Sequence, residues 1–548
     1  MLAVGALLHL ALATAPPPSR NDGRIRAWHI TDPHVDPAYT TGAPTEGCYC
    51  RAHTKCPARP SSAACASLDG ATAAALAPIT AGPFGNAEAD CETPQTLFAS
   101  SLAAAAAAVE QPHFALFTGD FCAYMLETPC NASATGLEPG SSRAGLLSCI
   151  TDAYGGVRAA FPRAPVLPSL GNHDTVVLSY GESSSSSSGA VFAGSAEMAW
   201  LYEAVADLWA QPGAIGCADD AASGGEGGGE RIACAEARRT LLLGGYYATR
   251  LPGLASSSSL LNLTVLSLNT NYWSVASNPA LANASAEPRL LGEGMLAWAE
   301  AQLAAAAGRG DKVMVLGHIP PHAGQWSPGM YRRWVTALEP HYRAGLVLPH
   351  FFGHMHTDQW QVVRACGGGG TDGTDTGAGT GGGGDDACAG EPLGVMVTGP
   401  SVSFSFPAAN PAIRLLEFGA EDFALLDMRT YAADLHAANA PGGAPEWALE
   451  YSFAETFGIA PGSAAGISPL ALAELVQRMA APQSPEWERY RGAPNGTLFC
   501  RGWQADHGKA DSHCAQGCTG DCKSEWISLL NGTSAAHAAA PPVRTRRS

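Results

Sequence analysis

Five short segments constrain this chain more than anything else in it. They are Asp32-Pro33-His34, Gly119-Asp120, Gly171-Asn172-His173-Asp174, Gly317-His318 and Gly353-His354-Met355-His356. Each closes a short apolar run (residues 26–31, 113–118, 165–170, 312–316 and 346–352) whose length and composition predict a β-strand. Loops that leave the carboxyl ends of strands in a layered sheet converge on one site. Glycine before Asp120, Asn172, His318 and His354 suits a tight strand-to-loop turn, where a positive φ or a close backbone approach is needed.

The remaining pattern alternates with these strands. Residues 94–109, 197–209 and 295–307 have helical composition, and 261–268 reads as a buried strand. The alternation predicts an α/β layered domain over residues 25–440. Runs of serine at 183–188 and of glycine at 224–229 and 367–384 are expected as flexible surface loops. Pro441-Gly442-Gly443-Ala444-Pro445 reads as a linker to a small Cys-rich helical subdomain over 446–530, with a helix near 469–479. The tail 531–548 lacks an apolar pattern and is expected to be disordered.

The side chains of the five segments are carboxylate, carboxamide and imidazole, the donors a divalent cation of borderline softness prefers. Asp32, His34, Asp120, Asn172, His318, His354 and His356 form a set for two ions, with Asp120 as the shared carboxylate. His354 and His356, two residues apart, can serve different ions of the pair. Two such cations clamp a phosphate and generate a hydroxide to attack it, which predicts a dinuclear hydrolase of phosphate esters. Two dications less Asp32 and Asp120 leave a double positive charge. A bridging hydroxide and a phosphodiester monoanion would neutralise it; a monoester would overshoot by one. His173 adjoins Asn172 and is expected to protonate the leaving oxygen or bind a phosphate oxygen, with Asp174 orienting its ring.

Lys plus Arg number 31 against 49 Asp plus Glu, a formal charge of −18. No generic groove for nucleic acid is expected, so an anionic substrate must be drawn in locally. Residues 2–15 are apolar and end in Ala13-Thr14-Ala15, which predicts a signal peptide over 1–15. The run falls short of the roughly 17–25 residues of a membrane span, and no other segment is long and apolar enough.

The sixteen cysteines agree with export and favour disulfides. Cys217 with Cys234, and Cys366 with Cys388, each bracket a glycine run and are expected to close its base. Cys500, Cys514, Cys518 and Cys522 read as two further bridges, with a zinc site as the alternative. Sequons begin at Asn131, Asn262, Asn283, Asn495 and Asn531 and are candidate glycosylation sites.

Among other residues, Asp36 can orient a ligand or start a turn with Pro37. Trp326, Trp360 and Tyr272 are expected in the core, and His113 and His350 in structural roles. His322 is expected to face solvent.

The ordered set resembles the calcineurin-like metallophosphoesterases, and its flanks resemble the acid sphingomyelinase-like phosphodiesterases. The resemblance rests on residues 29–37 (HITDPHVDP), 170–174 (LGNHD), 267–271 (SLNTN), 317–321 (GHIPP) and 353–358 (GHMHTD), and on the Cys-rich segment from Cys500. It implies a β-sandwich flanked by helices in a secreted or lysosomal enzyme, and a monomer is expected. It also implies two zinc ions, one on Asp32, His34, Asp120 and His356, the other on Asp120, Asn172, His318 and His354, with a lipid or nucleotide phosphodiester as substrate.

Two features depart from that pattern. The first motif begins at Asp32, so the saposin-like lipid-binding module of acid sphingomyelinase is expected to be absent. Tyr124 stands where the family carries a histidine, and can contact a phosphate oxygen without bringing positive charge. A purple acid phosphatase fits less well, because that family lacks the Asp32-x-His34 pair. The alternatives are an endopolyphosphatase or nucleotide phosphohydrolase on the same scaffold, and a non-catalytic secreted glycoprotein.

Overall fold

The computed structural model describes residues 23–43, 50–51, 80–86, 91–123, 141–174, 198–219, 231–254, 262–274, 286–321, 325–327, 329–366, 388–404, 409–459, 466–491, 527 and 530–531. The signal-peptide segment, the three low-complexity runs, Tyr124, His322, Asn131, Asn283, Asn495, the last four cysteines and the tail beyond Asn531 lie outside them.

Two six-stranded sheets carry the fold. The strands are β1 (Arg24–Ile30), β2 (Phe114–Phe117), β3 (Val166–Pro168), β4 (Tyr247–Leu251), β5 (Leu263–Ser267), β6 (Lys312–Leu316), β7 (Val347–Phe352), β8 (Gln359–Arg364), β9 (Pro392–Thr398), β10 (Ala412–Gly419), β11 (Leu425–Ala433) and β12 (Trp447–Ser452). The first sheet runs β12-β11-β10-β1-β2-β3 and the second β4-β5-β6-β7-β9-β8. Pairing is parallel from β1 through β3 and from β5 through β7 to β9; β4, β8 and the β10–β12 meander are antiparallel.

The strands are apolar on both faces because both faces are covered. Met314 and Leu316 of β6 join the core between the sheets, while Val313 and Val315 face the outer cluster. Phe351 of β7 meets Phe418 of β10 edge-on across the sandwich at 6.2 Å. Helices α1 (Gln95–Ala108) and α2 (Ser141–Ala160) add Leu97, Phe98, Leu102, Ile150 and Val157 to the first core. Helices α3 (Ala199–Trp209) and α4 (Cys234–Gly244) lie between β3 and β4 in sequence. Helices α5 (Ala286–Arg309) and α6 (Met330–Arg343) cover the outer face of the second sheet through Met295, Leu303, Trp334 and Leu338.

All five motif-bearing strands form where the sequence puts them, as do the strand at 261–268 and the helices at 94–109, 295–307 and 469–479. The Cys217–Cys234 and Cys366–Cys388 bridges are both present. Cys50–Cys91 and Cys122–Cys149 are formed as well, the second within two residues of Asp120.

Residues 441–445 lead into β12, which pairs antiparallel with β11 in the first sheet. Helices α7 (Pro469–Ala480) and α8 (Pro485–Arg491) follow, and their Leu472, Leu475, Met479, Trp487 and Tyr490 enter the main core instead of building one of their own.

One buried ion pair fixes the β4–β5–β6 edge. Arg250 of β4 makes a bidentate contact with Asp311, both bonds 2.8 Å, and Arg309 adds a third at 2.8 Å. Thr264 of β5 donates to the same carboxylate at 3.0 Å. Burial opposes the charge, but these donors outweigh it and hold the Asp311 carboxyl down at about 2. A carboxyl depressed in the folded state stabilises above its unfolded value, and that contribution fades as the pH falls through the folded one. Asp311→Asn should therefore cost about 2 kcal/mol at pH 7, with the gap closing between pH ~4 and ~2. Urea midpoints at pH 7 and pH 3 check this; an equal deficit at both would show that the pair's charge is not what stabilises the edge.

Candidate metal centre

The loops after β1, β2, β3, β6 and β7 meet at one edge of the sandwich. Asp32, His34, Asp120, Asn172 and His318 are buried, His356 is nearly so, and His354 is half-buried. Two groups of donors share Asp120. Asp32, His34, Asp120 and His356 form one, and Asp120, His318 and His354 the other, each with its donor atoms within 4.8 Å of one another. Asn172 joins the second: its Oδ1 lies 3.0 Å from His318 Nε2 and 2.8 Å from His354 Nδ1. In the first group, His34 Nε2 and His356 Nε2 are 3.0 Å apart. Asp32 Oδ1 stands 3.3 Å from His356 Nε2, and Asp120 Oδ2 stands 3.5 Å from His34 Nε2 and 3.1 Å from His318 Nε2.

Every sequence-nominated ligand is thus in one place. Imidazole nitrogens converging on one another and on carboxylate oxygens are a donor set that suits cations. The backbone supports this. Among the described residues, eight non-glycine positions have positive φ, and five of them are Asp32, His34, Asp120, His354 and His356. Such conformations cost about 1–3 kcal/mol each and persist where the surroundings impose them, typically at functional sites. Here the left-handed turns aim alternate side chains of each loop into the shared space.

Electrostatics tell the same story. Burial alone would neutralise Asp32, yet His318 and His356 hold its carboxyl at about 2. Burial also opposes charge on His318, but Asp120 and Asp32 push that imidazole up to about 9. Desolvation and the neighbouring His318 charge lower His354 to about 3, and burial lowers His34 and His173 as well. Two carboxylates buried together demand positive charge, from protons or from metal.

The supporting contacts explain the motif residues that are not ligands. His318 Nδ1 donates to the Thr118 carbonyl at 2.7 Å, leaving Nε2 to face the cluster. Thr270 Oγ1 accepts the amides of His318 and Ile319, and Asn271 Nδ2 donates to the Gly171 carbonyl at 3.2 Å. Asp358, two residues after His356, pairs in the core with Arg414 of β10 and accepts from the Tyr451 hydroxyl of β12. Thr118 and Arg414 escape motif reading because each lies far in sequence from the group it supports.

The Asp174 carboxyl accepts the backbone amides of Asp120, Phe121 and Gly171, each at 2.8 Å, and so clamps the Asp120 loop. Burial and the Asp120 charge push it up to about 8. His173 is placed by its own amide, which donates to Asp120 Oδ1 at 2.8 Å, and its Nε2 lies 4.0 Å from Asp120 Oδ2. Asp36 caps its turn through the Ala38 amide and pairs with Arg51 at 2.7 Å. Trp326, Trp360, Tyr272 and His350 are buried. Of the sequon asparagines, Asn262 precedes β5 and Asn531 accepts from Arg364.

Comparison with known proteins agrees with this geometry. The model of the calcineurin-like phosphoesterase family matches residues 25–358, and that of the acid sphingomyelin phosphodiesterase C-terminal region matches 396–493. The chain belongs to the calcineurin-like phosphoesterase family. It is 30% identical to the sphingomyelin phosphodiesterase of Homo sapiens over 340 residues, 61% of this chain and 42% of that protein. It therefore spans less than half the length of that relative. It is 26% identical to the human acid sphingomyelinase-like phosphodiesterase 3b, covering 80% of this chain and 77% of the relative. The cyclic GMP-AMP phosphodiesterase SMPDL3A of Rattus norvegicus is also 26% identical, over 84% of this chain and 82% of its own.

The centre leaves no room for a side chain at Gly171, where an added Cβ would lie 2.1 Å from Asp120 Oδ1. Gly171→Ala should displace the Asp120 carboxylate and weaken binding of a divalent cation by roughly 100-fold, with the circular dichroism spectrum unchanged. Zinc titration of the metal-stripped protein checks it; an affinity equal to wild type would mean that Asp120 does not hold the metal.

Proposed function

We propose that this protein is a dinuclear zinc phosphodiesterase, exported to the cell exterior or the lysosome. The supporting observation is the pair of donor groups joined through Asp120. One zinc would be held by Asp32, His34, Asp120 and His356, the other by Asp120, Asn172, His318 and His354. When bound, the two cations supply Lewis acidity toward the phosphoryl oxygens and an acidified water as nucleophile. The protein's own groups do the rest. Asp120 fixes the spacing of the two positions, and Asp174 fixes Asp120. His173 sits at the rim of the cluster, where its imidazole can donate to a phosphate oxygen or give its proton to the leaving group.

Four disulfides support export, and no described helix is long and apolar enough to cross a membrane. As to substrate, the relatives matched over most of their length include a cyclic GMP-AMP phosphodiesterase, which favours a soluble nucleotide diester over a lipid. The endopolyphosphatase reading has no observation in its favour beyond the shared scaffold.

The test is hydrolysis of bis(p-nitrophenyl) phosphate by zinc-loaded protein, followed by a panel of cyclic dinucleotide, sphingomyelin and polyphosphate. Chelation should abolish turnover and zinc restore it. His173→Ala should lower kcat by roughly 100- to 10,000-fold on an alkyl diester. The loss should be much smaller on the p-nitrophenyl ester, whose leaving group departs without a proton. No hydrolysis of any diester by fully metallated wild type would refute the proposal, and an equal loss on both esters would remove His173 as the acid.

A further inference from the structure

We propose that Gln325 is a positioning residue for His354, holding that imidazole in the one tautomer that can bind a cation; this rests on the two-metal reading above. Gln325 Oε1 lies 3.2 Å from His354 Nε2, while His354 Nδ1 faces Asn172 Oδ1 at 2.8 Å. A neutral imidazole carries its proton on one nitrogen only. A carbonyl oxygen at Nε2 draws the proton there and turns the Nδ1 lone pair toward Asn172, Asp120 and His318. The Nδ1 lone pair and the Asn172 oxygen then point at the same spot, which is stable when a cation sits between them.

The histidines of metal sites regularly donate their second nitrogen to a carboxylate or carbonyl. His318 does so to the main chain, through Thr118. His354 does so to a side chain, and that side chain lies outside every recognisable motif, between β6 and α6. Its position is nevertheless fixed. The adjacent Trp326 donates Nε1 to the Ile319 carbonyl at 3.0 Å and packs edge-on against Trp273 at 4.7 Å. Trp326 also bridges Ser274, and the Ser327 amide donates to the Trp273 carbonyl at 2.6 Å. The Gln325 loop is thereby tied to the turn that carries Thr270 and Asn271.

The choice of an amide has a further consequence. A carboxylate at 325 would make His354 a stronger donor but would subtract one positive charge from a site that must attract an anion. Glutamine orients without that loss.

Zinc titrations of metal-stripped wild type, Gln325→Leu and Gln325→Glu, read by a competing chromophoric chelator, test the proposal. The leucine variant should bind its weaker equivalent about 10- to 100-fold less tightly, and the glutamate variant should bind it at least as tightly as wild type. Recovery by glutamate separates orientation of His354 from packing, because leucine and glutamate both fill the space. Wild-type affinity in the leucine variant, or equal weakening in both, would overturn the role of Gln325 while leaving the function untouched. A wild type that binds no second zinc would overturn both readings. A wild type that binds two zinc ions but cleaves no diester would overturn the function alone, since the titration still decides the role of Gln325.

Discussion

The shared carboxylate of Asp120 is the interaction on which the arrangement depends. It belongs to both donor groups, so its position relates one group to the other and links the loops of the two sheets. It is almost fully buried among imidazoles, and its own amide, the Phe121 amide and the Gly171 amide are collected by Asp174. The β2 and β3 loops are therefore locked together before the second sheet contributes His318 and His354. A carboxylate in that position needs positive charge at hand, and the histidines provide it in the protein alone.

The rest of the molecule braces that centre. Thr270 and Asn271, on the turn after β5, hold the loops of β6 and β3 respectively. Asp358 carries the brace further, because it joins the loop of His356 to Arg414 and Tyr451 on β10 and β12. Among its described residues the C-terminal region contributes no ligand, yet it grips the residue two places beyond one. This gives a physical reason for a segment matching the acid sphingomyelin phosphodiesterase C-terminal region to be built into the first sheet rather than appended to it.

The centre was more legible in sequence than its supports. Ligand types recur in short motifs after apolar strands, so Asp32, His34, Asp120, Asn172, His318, His354 and His356 could be named before any coordinates. The strands bearing them are short, apolar and followed by glycine, which made them easy to place. Helix α2 contains glycines and serines and was not read as a helix, and β10 to β12 carry no motif to mark them. The Asp174 carboxyl reaches amides some fifty residues earlier in the chain, contacts that no flanking residue announces. Gln325 could not have been found at all, because an isolated glutamine gains meaning only from the ring it faces.

The strand order has a bearing on biosynthesis. β1 bears Asp32 and His34 at its end, yet one of its two neighbours is β10, paired from Arg24 with Gly419 to His29 with Arg414. During translation the first-made strand must wait for nearly four hundred residues before that partner leaves the ribosome. Contacts so distant in sequence form slowly, and an unpaired apolar strand is exposed to aggregation in the interval. The nascent polypeptide accordingly carries an open sheet edge beside β1 until β10 emerges, after His356 has completed the donor cluster, so chaperone shelter over that interval is the natural course of maturation.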